Sequence, residues 1–140
     1  MKKEIKTLLL VLLLTANACR NGDRNEGEAF VTDAGYIQVV LFHLSQRCES
    51  CTAVEGETQW VLENEYGQEV QAGQIKFVSL DFQTENGKKA AGLLRASGQT
   101  LYVVKGDSIA DLTSAAFMYA STHPEHYREA LRKTLDQYLE

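Results

Sequence analysis

The apolar positions of this chain change period several times, and each change marks an element. Over residues 36–44 (YIQVVLFHL) the sequence is almost continuously β-branched and aromatic, as a strand buried on both faces requires, and it predicts the centre of a sheet. Over residues 48–66 the period becomes helical. Val54, Thr58, Val61, Leu62 and Tyr66 share one face, Glu55, Glu57, Glu63 and Glu65 fall largely elsewhere, and Gly67 is placed to cap the end. Residues 75–82 (IKFVSLDF) predict a second strand. Residues 84–96 carry Ala90, Ala91, Leu93 and Leu94 at helical spacing, although Gly87 and Gly92 weaken the intrinsic propensity. Residues 101–104 and 108–112 flank Lys105-Gly106-Asp107 and read as two short strands about a tight turn. Pro124 suits the first turn of a closing helix in which Tyr127, Leu131, Leu135 and Tyr138 share a face. The predicted order is β-α-β-α-β-β-α. A helical crossover makes the first two strands parallel and the glycine turn makes the last two antiparallel, so the expectation is an α/β domain with a central mixed four-stranded sheet and flanking helices.

Ahead of this domain the pattern is of a different kind. Lys2, Lys3 and Lys6 precede the apolar run Leu8-Leu9-Leu10-Val11-Leu12-Leu13-Leu14, which is too short for a permanent span, and Ala16-Asn17-Ala18 supplies small residues for cleavage. Residues 1–19 therefore read as a signal peptide. Because Cys19 follows the small residues, the segment resembles a bacterial lipoprotein signal, with Cys19 the lipidated N-terminus and the periplasmic face of a membrane the destination. Cleavage at Ala18 without lipidation is the alternative and leaves the protein soluble in the periplasm. Residues 20–35 are polar, rich in Asn, Gly, Asp and Glu, and read as a flexible tether; residues 36–140 form the folded domain.

Charge narrows the partners. Removing Lys2, Lys3, Lys6 and Glu4 from 14 basic and 19 acidic residues leaves 11 against 18. An acidic body with no basic stripe argues against general nucleic-acid binding, which needs clustered Lys and Arg.

The candidate chemistry lies where the first strand passes into the first helix, at Cys48-Glu49-Ser50-Cys51. Two cysteines at this spacing can close a disulfide across the first helical turn, and the N–H groups there favour the leading thiolate. A static disulfide or half of a metal site has the same signature. Export admits either a cycling or a permanently oxidised pair. Arg47 and Glu49 pull the Cys48 thiolate in opposite directions, so its shift has no sign from sequence. His43 reads first as a core or rim histidine, and His123 and His126 as polar residues at a helix start rather than zinc ligands. Trp60 reads as packing for the first helix, and Phe117-Met118-Tyr119 as core in preference to a partner-facing patch.

The element order, with the cysteine pair at the first strand–helix junction, resembles the thioredoxin-like fold. Residues 42–55 around Cys48 and Cys51, Ser97-Gly98-Gln99-Thr100-Leu101, and residues 111–120 resemble, in that order, the exported nitrophenyl compound nitroreductase subunit family of arsenic operons (the ArsF family). The resemblance implies that Cys48 attacks and Cys51 resolves, and that Gln99 and Thr100 line the substrate groove, Gln99 standing where thioredoxins carry a cis-proline. It also implies that Arg47, Glu49, His43 and Asp81 tune the site, Asp81 being the candidate for the buried acid that thioredoxins use. Glu49-Ser50 replaces their Gly-Pro. The chain carries no flavin or nicotinamide fingerprint and implies no cofactor or metal of its own. Reduction of nitrophenyl or organoarsenical compounds would need a protein thiol–disulfide partner, a membrane electron donor or a reductase subunit. The competing class is a binding module whose pair is a structural disulfide or a soft-metal or arsenite site.

Overall fold

The sheet is built outward from β1 (Ile37–His43), which is buried along its length except for half-buried His43. In the computed structural model residues 30, 32 and 34–140 are described; the expected leader, Cys19 and most of the tether lie outside them. Alternation along β1 divides its side chains between two layers. Ile37, Val39 and Leu41 pack with Val54, Val61 and Leu62 of α1 (Glu49–Asn64), Ala116 of α4 (Thr113–Tyr119), and Tyr127, Leu131 and Leu135 of α5 (Pro124–Leu139). Val40 and Phe42 face the other way, onto Ala90, Ala91 and Leu94 of α3 (Glu85–Leu94).

β1 pairs in parallel with β2 (Ile75–Asp81), from Ile37 opposite Ile75 to His43 opposite Asp81. On its other side it pairs antiparallel with β3 (Thr100–Lys105), Phe42 opposite Thr100 and Gln38 opposite Val104. β4 (Ser108–Asp111) closes the edge antiparallel to β3 through a turn at Gly106, whose φ of 56° suits glycine. The order β2-β1-β3-β4, with a helical crossover between the two parallel strands and helices on both faces, is a thioredoxin-like fold.

Helices α1 and α5 lie side by side, running the same way: Thr58 meets Tyr127 and Glu57 meets Arg128, then Glu65 meets Arg132 and Tyr66 meets Asp136. Tyr127 is fully buried, and its hydroxyl lies 2.5 Å from Thr58 Oγ1, which itself donates to the Val54 carbonyl at 2.6 Å. The Tyr127 hydroxyl is therefore the donor in that pair.

Four expectations are corrected. Gly67 does not cap α1; it opens a further short helix, α2 (Gly67–Gln71). The left-handed glycine comes later, at Gly73 (φ 74°), where Gly73 N–H donates to Val70 O and Gln74 N–H to Glu69 O, the two bonds of a Schellman stop. The helix α4 was not expected. Its seven residues are too few for a clear period, and its start is set by tertiary bonds: Leu112 N–H to Leu101 O, Leu101 N–H to Thr113 Oγ1. Within it the run Phe117-Met118-Tyr119 is not all core, because a helix turns successive side chains by about 100°: Phe117 packs inward while Met118 is 61% exposed. Trp60 is 40% exposed, and the Arg128 guanidinium covers its ring at 3.8 Å.

Candidate redox site

β1 ends at His43, and five residues later the chain enters α1 with Cys48 as its N-cap in extended conformation (φ −90°, ψ 165°). The first helical bonds hold that conformation: Thr52 N–H and Thr52 Oγ1–H both donate to the Cys48 carbonyl, at 3.1 and 3.2 Å. One turn in, Cys51 is wholly buried while Cys48 is exposed, and both are free thiols with sulfurs 3.3 Å apart.

The two sulfurs are chemically unequal. The Cys51 backbone N–H holds the Cys48 thiol below its ordinary value, the Cys51 S–H adds to this by donating to the thiolate, and the Ser50 N–H contributes less. Burial pushes the Cys51 thiol up, and the neighbouring Cys48 thiolate pushes it further. An exposed sulfur that ionises early beside a buried one that ionises late suits an attacking and a resolving thiol. The opposed charges of Arg47 and Glu49 are not what moves Cys48. Arg47 instead forms an ion pair with Glu55, which fastens the residue before Cys48 to the second turn of α1.

Of the other residues singled out, Thr100 lies opposite Phe42 in the ladder, at the end of β1 from which the Cys48 loop departs, and Gln99 immediately precedes it. Thr100 Oγ1 is buried without a hydrogen-bond partner. All peptide bonds among the described residues are trans, that before Gln99 included. His43 Nδ1 bonds its own neighbour's carbonyl, Leu44 O, at 2.9 Å.

Asp81 is half-buried and occupied with the loop rather than with the sulfurs. Its Oδ2 accepts the Ser45 hydroxyl at 2.5 Å and its Oδ1 the Gln83 N–H at 2.8 Å. The Ser45 hydroxyl, then the Gln83 N–H, hold its carboxyl below the usual range, and His43 adds to the effect. Ser45 and Gln83 had no place in the sequence expectations, and Glu55 stood there only on the polar face of the first helix, not as the partner of Arg47. No local pattern marks them: Ser45 meets Asp81 and Gln83 across the fold, and Glu55 reaches back to Arg47, which precedes the helix and so falls outside its spacing.

Among the described residues no group of three or more His, Cys, Asp or Glu is placed to hold a metal. His123 and His126 stand with Tyr119 in a ring cluster, at centroid distances of 5.5–6.4 Å.

No protein-family model and no curated protein sequence matches the chain. Among solved structures it is similar to a malarial protein, at 18% identity over 54% of this chain and 78% of that one with a TM-score of 0.42. It is also similar to a thioredoxin from Fasciola hepatica, at 18% identity over 56% of this chain and 67% of that one with a TM-score of 0.40. Likenesses at that level carry no argument about activity, and the thioredoxin-like fold rests on the strand order and crossover of the chain itself.

Proposed function

We propose that the protein is an exported thiol–disulfide redox protein, tethered to a membrane through Cys19, in which Cys48 attacks and Cys51 resolves. The observation that carries the reading is the inequality of two free sulfurs 3.3 Å apart, one exposed at a helix start and one buried a turn further in. The Cys48 thiolate attacks one sulfur of a partner disulfide. The partner's S–S bond breaks, its second sulfur leaves as a thiolate and takes a proton, and a Cys48–partner disulfide remains. Cys51 loses its proton and attacks Cys48 Sγ, releasing the partner's other thiol; the pair ends oxidised and the partner reduced by two electrons. Run backwards, the same steps oxidise a partner dithiol.

The resemblance to the nitrophenyl compound nitroreductase subunits of arsenic operons extends the proposal to an electron-transfer role. A separate reductase subunit or membrane donor then supplies the chemistry on nitrophenyl or organoarsenical compounds, and Gln99 and Thr100 line the groove where the partner docks. Partition of the expressed protein with membranes, and a lipid mass on Cys19, test the tether.

The redox role is tested by trapping. In Cys51→Ser the mixed disulfide has no resolving thiol, so disulfide-linked complexes should accumulate in extracts of the producing cells, while Cys48→Ser should trap few. If neither variant traps a complex and both sulfurs alkylate equally fast, the pair is a structural disulfide in a binding module.

A further inference from the structure

The loop of residues 44–48 that delivers Cys48 to the helix is exposed, yet it is fastened at two places by carboxylates that do not touch sulfur. At its near end the Ser45 hydroxyl donates to Asp81 Oδ2 at 2.5 Å and the Ser45 N–H to Gln83 Oε1 at 3.0 Å. Asp81 Oδ1 in turn accepts the Gln83 N–H at 2.8 Å, and Phe82 N–H donates to His43 O at 2.8 Å. The turn after β2 thus grips the end of β1 and the loop that follows it through three hydrogen bonds, and the Gln83–Asp81 bond braces the turn itself. That turn is itself seated firmly: Thr84 Oγ1 donates to Asp81 O at 2.8 Å and accepts Gly87 N–H at 3.1 Å, and α3 approaches so closely that only glycine fits at 87. At the far end of the loop Arg47 is held to Glu55.

We infer that Asp81, acting through Ser45, and Glu55, acting through Arg47, are positioning residues for the Cys48 thiolate. The inference rests on the redox reading above and deepens it. The Cys48 sulfur is favoured as thiolate only while its backbone stays extended at the N-cap, where it faces the N–H groups of Ser50 and Cys51. An unanchored five-residue loop would let Cys48 leave that conformation, and the sulfur would revert toward an ordinary thiol. The titratable and charged groups about this corner are His43 on β1, Asp81 at the end of β2, Arg47 and Glu49 beside Cys48, and Glu55 in α1, with Glu85 in the first turn of α3.

The sign of the effect separates positioning from charge. Removing a nearby negative charge favours a thiolate, so if Asp81 or Glu55 acted through space, Asp81→Asn or Glu55→Gln would lower the pH midpoint for alkylation of Cys48. Positioning predicts the opposite. Ser45→Ala removes the hydroxyl through which Asp81 acts, with no change of charge at all, on an exposed residue whose loss leaves the core intact.

The experiment is the pH dependence of iodoacetamide modification of Cys48 in the reduced protein, resolved by peptide mass, for the parent, Ser45→Ala, Asp81→Asn and Glu55→Gln. Urea unfolding run alongside shows that each variant is folded at the assay pH. The expected result is an upward midpoint shift of roughly half a pH unit in all three variants, about a threefold loss of rate below the midpoint, the scale of a helix-terminus interaction. Unchanged or lowered midpoints in folded variants, with a depressed midpoint in the parent, overturn the positioning inference and leave the redox reading standing. An ordinary thiol midpoint for Cys48 in the parent overturns the redox reading itself.

Discussion

At the scale of single residues, the buried pair Thr58 and Tyr127 shows how direction in a hydrogen bond decides the cost of losing it. The Thr58 hydroxyl gives its proton to the Val54 carbonyl and receives that of Tyr127. Thr58→Val leaves a fully buried phenol with nothing to donate to, for about 1–3 kcal/mol, whereas Tyr127→Phe leaves Thr58 bonded to Val54 and should cost about 0.5–1.5 kcal/mol. Urea unfolding of the two variants checks the order; equal costs would mean that the Tyr127 hydroxyl has another acceptor. Burial also pushes the Tyr127 hydroxyl well above the ordinary tyrosine range, and burial followed by the Asp136 hydrogen bond does the same to Tyr66. The raised folded-state values mean that above a pH of about 10 the unfolded chain sheds protons that the folded one keeps. Their contribution is therefore intact below that pH and falls as pH rises beyond it, and Tyr127→Phe should make the alkaline decline shallower.

At the scale of elements, α3 depends on one close approach. A Cβ at Gly87 would fall 1.8 Å from the Asp81 carbonyl oxygen, while nothing lies within 4 Å of one at Gly92. Gly92→Ala should stabilise by roughly 0.5–1 kcal/mol through helix propensity, and Gly87→Ala should destabilise by about 1–3 kcal/mol because backbone must move. A Gly87→Ala protein as stable as the parent would show that α3 can lift from β2 freely. Both glycines were legible in the sequence only as weaknesses of a helix. What was legible follows period: the strands at β1 and β2, and the faces of α1 and α5, are long enough for alternation or a helical stripe to repeat. What was not follows contact. α2 and α4 are too short to repeat anything, Trp60 is placed by an arginine on another helix, and Ser45 meets Asp81 across 36 positions of chain.

At the scale of the whole molecule, the sheet order brings three things to one end. These are the exit of β1 toward Cys48, the start of β3 at Thr100, and the turn after Asp81 that holds the loop. The cysteine pair was legible in place and spacing, and its element order in fold; the sign of the Cys48 shift was not, since Arg47 and Glu49 oppose each other in sequence and the deciding groups are backbone N–H donors set by the cap. The central claim is that these sulfurs exchange electrons with a partner instead of stapling the first turn. Its most direct measurement is the reduction potential of the Cys48–Cys51 pair, from equilibration in glutathione or dithiothreitol buffers with the two redox forms separated by alkylation. A value within the span of exchange proteins, about −120 to −270 mV, is the predicted result, and a value well below about −300 mV would contradict it and mark the pair as structural.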